Sequence, residues 1–136
     1  MPFSGGIILK KTSYRISVPG LSFSLRCGKT LIYHATIKAL GDPDYIRFLI
    51  DTKNKRVAVQ ACNKKLPESF KVPQYEQDKW DFTICGQAML KIIWDCCGWD
   101  SDKTYRIEGN VIENHDLVQF DLRQAAICNN IDDGGN

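Results

Sequence analysis

Apolar and polar residues alternate with a period of two in several short stretches of this chain, and recur every three to four residues in two others. Tyr45-Ile46-Arg47-Phe48-Leu49-Ile50 and Arg56-Val57-Ala58-Val59-Gln60-Ala61 read as strands. Between them, Asp51-Thr52-Lys53-Asn54-Lys55 has turn chemistry, so the pair reads as a hairpin. A second hairpin is expected from Tyr105-Arg106-Ile107 through Val111-Ile112, around Glu113-Asn114-His115-Asp116, and back along Leu117 to Leu122. In its returning arm Val118, Phe120 and Leu122 alternate with Gln119 and Asp121, which marks a strand with one wet face. Helices are expected over Lys29 to Leu40, with Ile32, Ala35 and Ala39 on one face, and over Gln87 to Cys97, with Leu90, Ile93, Trp94 and Cys97. Each is followed by a glycine, Gly41 or Gly98, the residue that enters the left-handed conformation at a helix end without strain.

The order strand, helix, hairpin therefore occurs twice. Phe23-Ser24-Leu25-Arg26-Cys27-Gly28 opens the first copy and Phe82-Thr83-Ile84-Cys85-Gly86 the second. A lone unit of this kind would leave a helix face and a sheet face uncovered, so two copies packed as a pseudo-dimer are expected. The chain is read as a single α+β domain, residues 1–136, mainly antiparallel sheet with two short helices. Within it the first repeat spans 13–62, a proline-bearing connector 63–79, the second repeat 80–128 and a polar, flexible tail 129–136. Ile7 to Lys10 and Tyr14 to Val18 add one or two further strand candidates ahead of Pro19-Gly20.

Composition changes this picture in two ways. The 136 residues can bury a core without staples. With neither a signal-peptide pattern nor a membrane-length apolar run, the six cysteines are expected to be reduced thiols of a cytoplasmic protein. The net charge of +2 conceals a division along the chain. Residues 1–75 hold 13 Lys and Arg against 4 Asp and Glu, a net of +9, and the remainder carries −7. The basic half suits a polyanion or an acidic protein surface, and the opposite charges also suit a homodimer in which the halves attract.

Catalytic chemistry has little to stand on. Cysteine catalysis needs a neighbouring histidine, and the chain has only His34 and His115. Cys27 and Cys85, each expected just before a helix, are the thiols a helix N-terminus would acidify. No C-x-x-C or H-x-x-x-H spacing offers a zinc site, and no glycine loop stands between a strand and a helix to cradle phosphate, so neither a metal nor another cofactor is expected. The expected function is binding rather than catalysis. Candidate nucleic-acid contacts are Lys10, Lys11, Arg15, Arg26, Lys29 and Arg47; candidate anchors for a protein partner are Tyr75, Trp80 and Trp99.

Ile16-Ser17-Val18-Pro19, Ala39-Leu40-Gly41-Asp42 and the hairpin from Tyr45 to Ala61 resemble AbrB-type swapped-hairpin domains, found in bacterial transition-state regulators and antitoxins. That resemblance implies DNA contact by paired N-terminal strands and loops, with a fused pair doing what a homodimer does elsewhere. Over most of its length the chain is also similar to small proteins encoded on phages and conjugative elements of gut Firmicutes. The shared features run from Tyr45-Ile46-Arg47 through Cys62 and Gly98-Trp99-Asp100 to Tyr105-Arg106-Ile107-Glu108-Gly109 and Phe120-Asp121-Leu122. The leading expectation is a DNA-binding regulator of a phage or mobile element, without contact to a membrane. The alternatives are an anti-defence inhibitor of the anti-CRISPR type, which binds a host effector protein, and a sponge for an anionic signalling nucleotide.

Overall fold

A computed structural model of the chain describes residues 18–73, 81–112 and 116–128. Alternation builds ten strands there, all paired antiparallel, as two five-stranded sheets. In chain order they are β1 (Gly20–Ser24), β2 (Lys29–Ile32), helix α1 (His34–Ala39), β3 (Tyr45–Asp51), β4 (Arg56–Cys62), β5 (Phe70–Lys71), β6 (Phe82–Cys85), helix α2 (Gln87–Cys97), β7 (Thr104–Glu108), β8 (Asn110–Ile112), β9 (Leu117–Asp121) and β10 (Ala126–Cys128). The first sheet has the order β5-β3-β4-β9-β8 and the second β10-β7-β1-β2-β6. The α+β class and the dominance of antiparallel sheet expected from the sequence are what the molecule shows.

One long bent hairpin belongs to both sheets. Strands β7 and β8 are separated only by Gly109, yet β7 pairs with β1 in the second sheet and β8 with β9 in the first. The returning arm follows the same path, β9 in the first sheet and β10 beside β7 in the second, with a 3-10 turn at Leu122–Gln124 between them. Gly109 sits where the chain changes sheets. A Cβ there would lie 2.5 Å from Cε2 of Phe120 and 2.8 Å from Cγ1 of Val118, two fully buried side chains.

Leu21, Phe23 and Ile32 of the second sheet meet Ile46, Val57, Val59, Val118 and Phe120 of the first, with Leu90 and Ile93 of α2, in one core. Trp99 stacks on Tyr105 with ring centroids 4.2 Å apart and meets Trp94 edge-on. Around that cluster Trp94 Nε1 donates to the Asp100 carbonyl at 3.1 Å, and the Asp100 amide donates to the Tyr105 hydroxyl at 2.9 Å, which fixes the exit loop of α2. Gly98 ends α2 in the left-handed conformation expected of it, φ 65°.

The first helix is where the sequence reading is corrected. Lys29–Ile32 is a strand, and α1 has only six residues. Thr30 and Ile32 turn inward as strand residues do, because Gly28, at φ 67°, closes a tight turn that lays β2 against β1. The Thr36 hydroxyl then fastens α1 to the sheet: fully buried, it accepts from the Gly20 amide at 2.8 Å and donates to the Gly20 carbonyl at 2.8 Å. The connector is not wholly irregular either, since β5 pairs with Tyr45 and Ile46, and Val72 is buried.

A strand, a helix and a hairpin follow one another at Lys29–Cys62 and again at Phe82–Cys128, but a pseudo-dimer of two like repeats is not shown, because the two hairpins are placed differently. The first lies wholly in one sheet and the second spans both. The charge division along the chain likewise does not become two lobes, because each sheet interleaves strands from both halves. The expected strand at Ile7 to Lys10, that at Tyr14 to Val18 except for Val18 itself, and the tail from Asn129 lie outside the described residues.

Candidate nucleic-acid interface

Burial of one side of the second sheet dictates what its other side offers. With Leu21, Phe23, Thr30, Ile32, Phe82, Ile84, Tyr105 and Ile107 turned inward, the intervening residues face out. Register aligns them into two rows across the strands. One runs Cys85, Lys29, Ser24, Thr104, Cys128; the next runs Thr83, Leu31, Ser22, Arg106, Ala126. Most of these side chains are small, so the face is shallow. Tyr33 crosses it: its ring takes the space a Cβ on Gly20 would need, 2.5 Å from Cδ2, and its hydroxyl hydrogen-bonds with that of Ser22 at 2.6 Å.

Two exposed cations, Lys29 and Arg106, stand on this face, and a third, Arg26, is exposed in the β1–β2 turn at the end of these strands. None of the three side chains forms a hydrogen bond or ion pair among the described residues, and Glu108 is an exposed acid on the same sheet face. Lys53, Lys64, Lys65, Lys71 and Lys91 are likewise without an ion pair among the described residues, whereas three other cations face a carboxylate: Lys38, Lys103 and Arg123. Arg123 Nε lies 3.1 Å from Asp121 Oδ1, and together with the nearby Arg56 it holds that carboxyl below its ordinary value. Asp51 is held low chiefly by hydrogen bonds from Asn54, with Arg56 adding attraction. Lys38 pairs with Asp42 at 3.0 Å.

The residues singled out by the sequence are thus divided. Arg26 and Lys29 come together on the second sheet, whereas Arg47 projects from the first, its Nε donating to Gln60 Oε1 at 2.7 Å. Lys10, Lys11, Arg15, Tyr75 and Trp80 lie outside the described residues. Trp99 is half-buried in its aromatic cluster. Arg106 and Tyr33 were not singled out. The alternation Thr-Tyr-Arg-Ile-Glu puts Arg106 on a wet face, but its neighbours across the sheet follow only from pairing between distant strands.

The thiols are placed differently from expectation. Cys27 is in the β1–β2 turn rather than at a helix N-terminus, because strand β2 stands between it and α1. Cys85 ends β6 just before α2. At the other end of α2, Cys96 Sγ donates to the Thr52 carbonyl at 3.3 Å. Burial and the neighbouring Cys96 push the Cys97 thiol up to about 11, which keeps it protonated and poorly nucleophilic at neutral pH. Among the described residues no three His, Cys, Asp or Glu side chains converge as a metal site would require, and no helix is long and apolar enough to cross a membrane. Comparison with protein-family models, with curated proteins and with solved structures finds no match to this chain.

Proposed function

We propose that the protein is a non-enzymatic DNA-binding regulator whose contact surface is the outward face of the second sheet. The observation that carries this reading is a set of three exposed cations without an internal partner, Lys29 and Arg106 on a face of small side chains and Arg26 in the turn that joins two of its strands. A lysine or arginine that already faces a carboxylate gains little from a phosphate. One with no partner neutralises the phosphate and releases its condensed counterions. Small neighbours let a duplex backbone approach the sheet closely. Contacts of this kind position the protein without reading base sequence. Lys10, Lys11 and Arg15 belong to the same reading as further phosphate contacts, and a phage or other mobile element is where such a regulator would act.

The test is titration of a fluorescently labelled duplex with protein at a series of salt concentrations, read by anisotropy. Affinity that falls steeply as salt rises is expected. Binding that is absent at low salt, or indifferent to salt, overturns the reading. Retention of a host effector protein by the tagged chain, with no DNA shift, would point instead to the anti-defence alternative.

A further inference from the structure

At the end of the first sheet, where β3 begins and β4 finishes, lies an open cavity of about 520 Å³. That is within the usual span of small-molecule sites, roughly 300–1,000 Å³. Arg47 and Gln60, directly opposed on β3 and β4, both line it. The hydrogen bond from Arg47 Nε to Gln60 orients the guanidinium and leaves its two terminal nitrogens without a partner among the described residues. Such a fork is the group that recognises a carboxylate in bidentate fashion.

Acids line the same cavity, yet none pairs with this arginine. Asp42 is occupied by Lys38 at 3.0 Å. Asp44 and Asp116 make no ion pair among the described residues. Their main chains are nevertheless tied down: the Asp44 carbonyl accepts from the Val72 amide at 2.9 Å and the Asp116 carbonyl from the Ala61 amide at 3.0 Å. With Lys64 also on the lining, the unneutralised charges are two positive and two negative. Opposite charges anchored around one space without touching suit an occupant carrying both signs. A phosphorylated ligand would meet two carboxylates; a simple amine would meet the arginine. Leu40, Pro43 and Leu66 add apolar lining for a side chain.

We infer that this cavity binds a small zwitterion, a free amino acid or short peptide, with its carboxylate on Arg47 and its ammonium toward Asp44 and Asp116. The site is on a different sheet from the proposed DNA face, so either can fail without the other. The test is amide NMR of the full chain titrated with free amino acids and dipeptides, with their N-acetylated and C-amidated counterparts, and with mononucleotides. Expected are shifts at Gln60 and Ala61 with zwitterions at millimolar concentration, weakened about tenfold or more by capping either end, as loss of a charge-assisted contact implies. R47Q should lose carboxylate recognition. D116N, which leaves the Arg47–Gln60 pair intact, should lose preference for the free ammonium and guards against a folding defect in R47Q. Equal binding of capped ligands, tighter binding of nucleotides, or no shift with any zwitterion overturns the inference.

Discussion

Removing one phosphate-binding cation at a time from the second sheet should change the salt dependence of DNA binding in countable steps. Each contact contributes about 0.9 to the slope of log affinity against log salt. If Arg26, Lys29 and Arg106 each neutralise one phosphate, together they give a slope of about −2.7, so raising salt from about 50 to 200 mM weakens binding about 40-fold. K29A or R106A leaves about −1.8, and the same change in salt then costs only about 12-fold. At about 0.1 M salt each substitution should weaken binding about eightfold, near 1.2 kcal/mol. Further contacts, such as Lys10, Lys11 or Arg15, would steepen the parent slope but leave the decrement per substitution unchanged. R123A is the control, because Arg123 already faces Asp121 at 3.1 Å and should leave the slope where it was. The assay is anisotropy of a labelled duplex across salt, with thermal melts showing that each variant folds. Slopes in K29A and R106A equal to the parent's, with DNA still bound, would refute the assignment of contacts to this face.

Three further outcomes follow from the packing. T36V should lower stability by about 2 kcal/mol in chemical denaturation, since it leaves the buried Gly20 amide without its acceptor while the Gly20 carbonyl keeps the Tyr33 amide at 3.1 Å; an unchanged midpoint would mean the hydroxyl is dispensable. G109A should cost roughly 1–3 kcal/mol, because the new methyl must displace the fully buried Phe120 ring, and a melting temperature equal to the parent's would show that the ring yields freely. Cys97 should alkylate slowly near neutral pH beside the exposed Cys27 and Cys85, with its rate rising only as pH approaches about 11, as mass spectrometry of iodoacetamide-treated protein would show. The sign is that of a group raised on folding: its contribution to stability is complete below its ordinary value of 9.0 and is lost as pH climbs through about 11.

Much of this architecture could be read from alternation alone. The hairpin from Tyr45 to Cys62, the wet and dry faces of Leu117–Asp121, and the helix that stops at Gly98 all follow from local periodicity. The error at Lys29–Ile32 has a definite cause. A short Lys-Thr-Leu-Ile run suits either period, and what decides is a threonine buried in the core beside two partner strands, which no window of neighbours contains. Arg26 and Lys29 were legible as candidate contacts because they are close in sequence. That Lys29 shares a sheet face with Arg106 was not, since it depends on β1 pairing with a strand some eighty residues later. The cavity around Arg47 was hidden for the same reason, because Asp116 reaches it from the other half of the chain.

The bent hairpin that serves both sheets has a mechanical consequence. Strand β7 in one layer passes through Gly109 into β8 in the other, and β9 returns through the 3-10 turn into β10, so neither layer can separate, slide or melt without pulling on its counterpart. Loss of order should therefore spread through the whole molecule in one step. The Arg47 cavity and the Lys29 face are joined by a second tether, since the chain leaves β2 through α1 and arrives at once at Leu40, Asp42 and Asp44 on the cavity's lining.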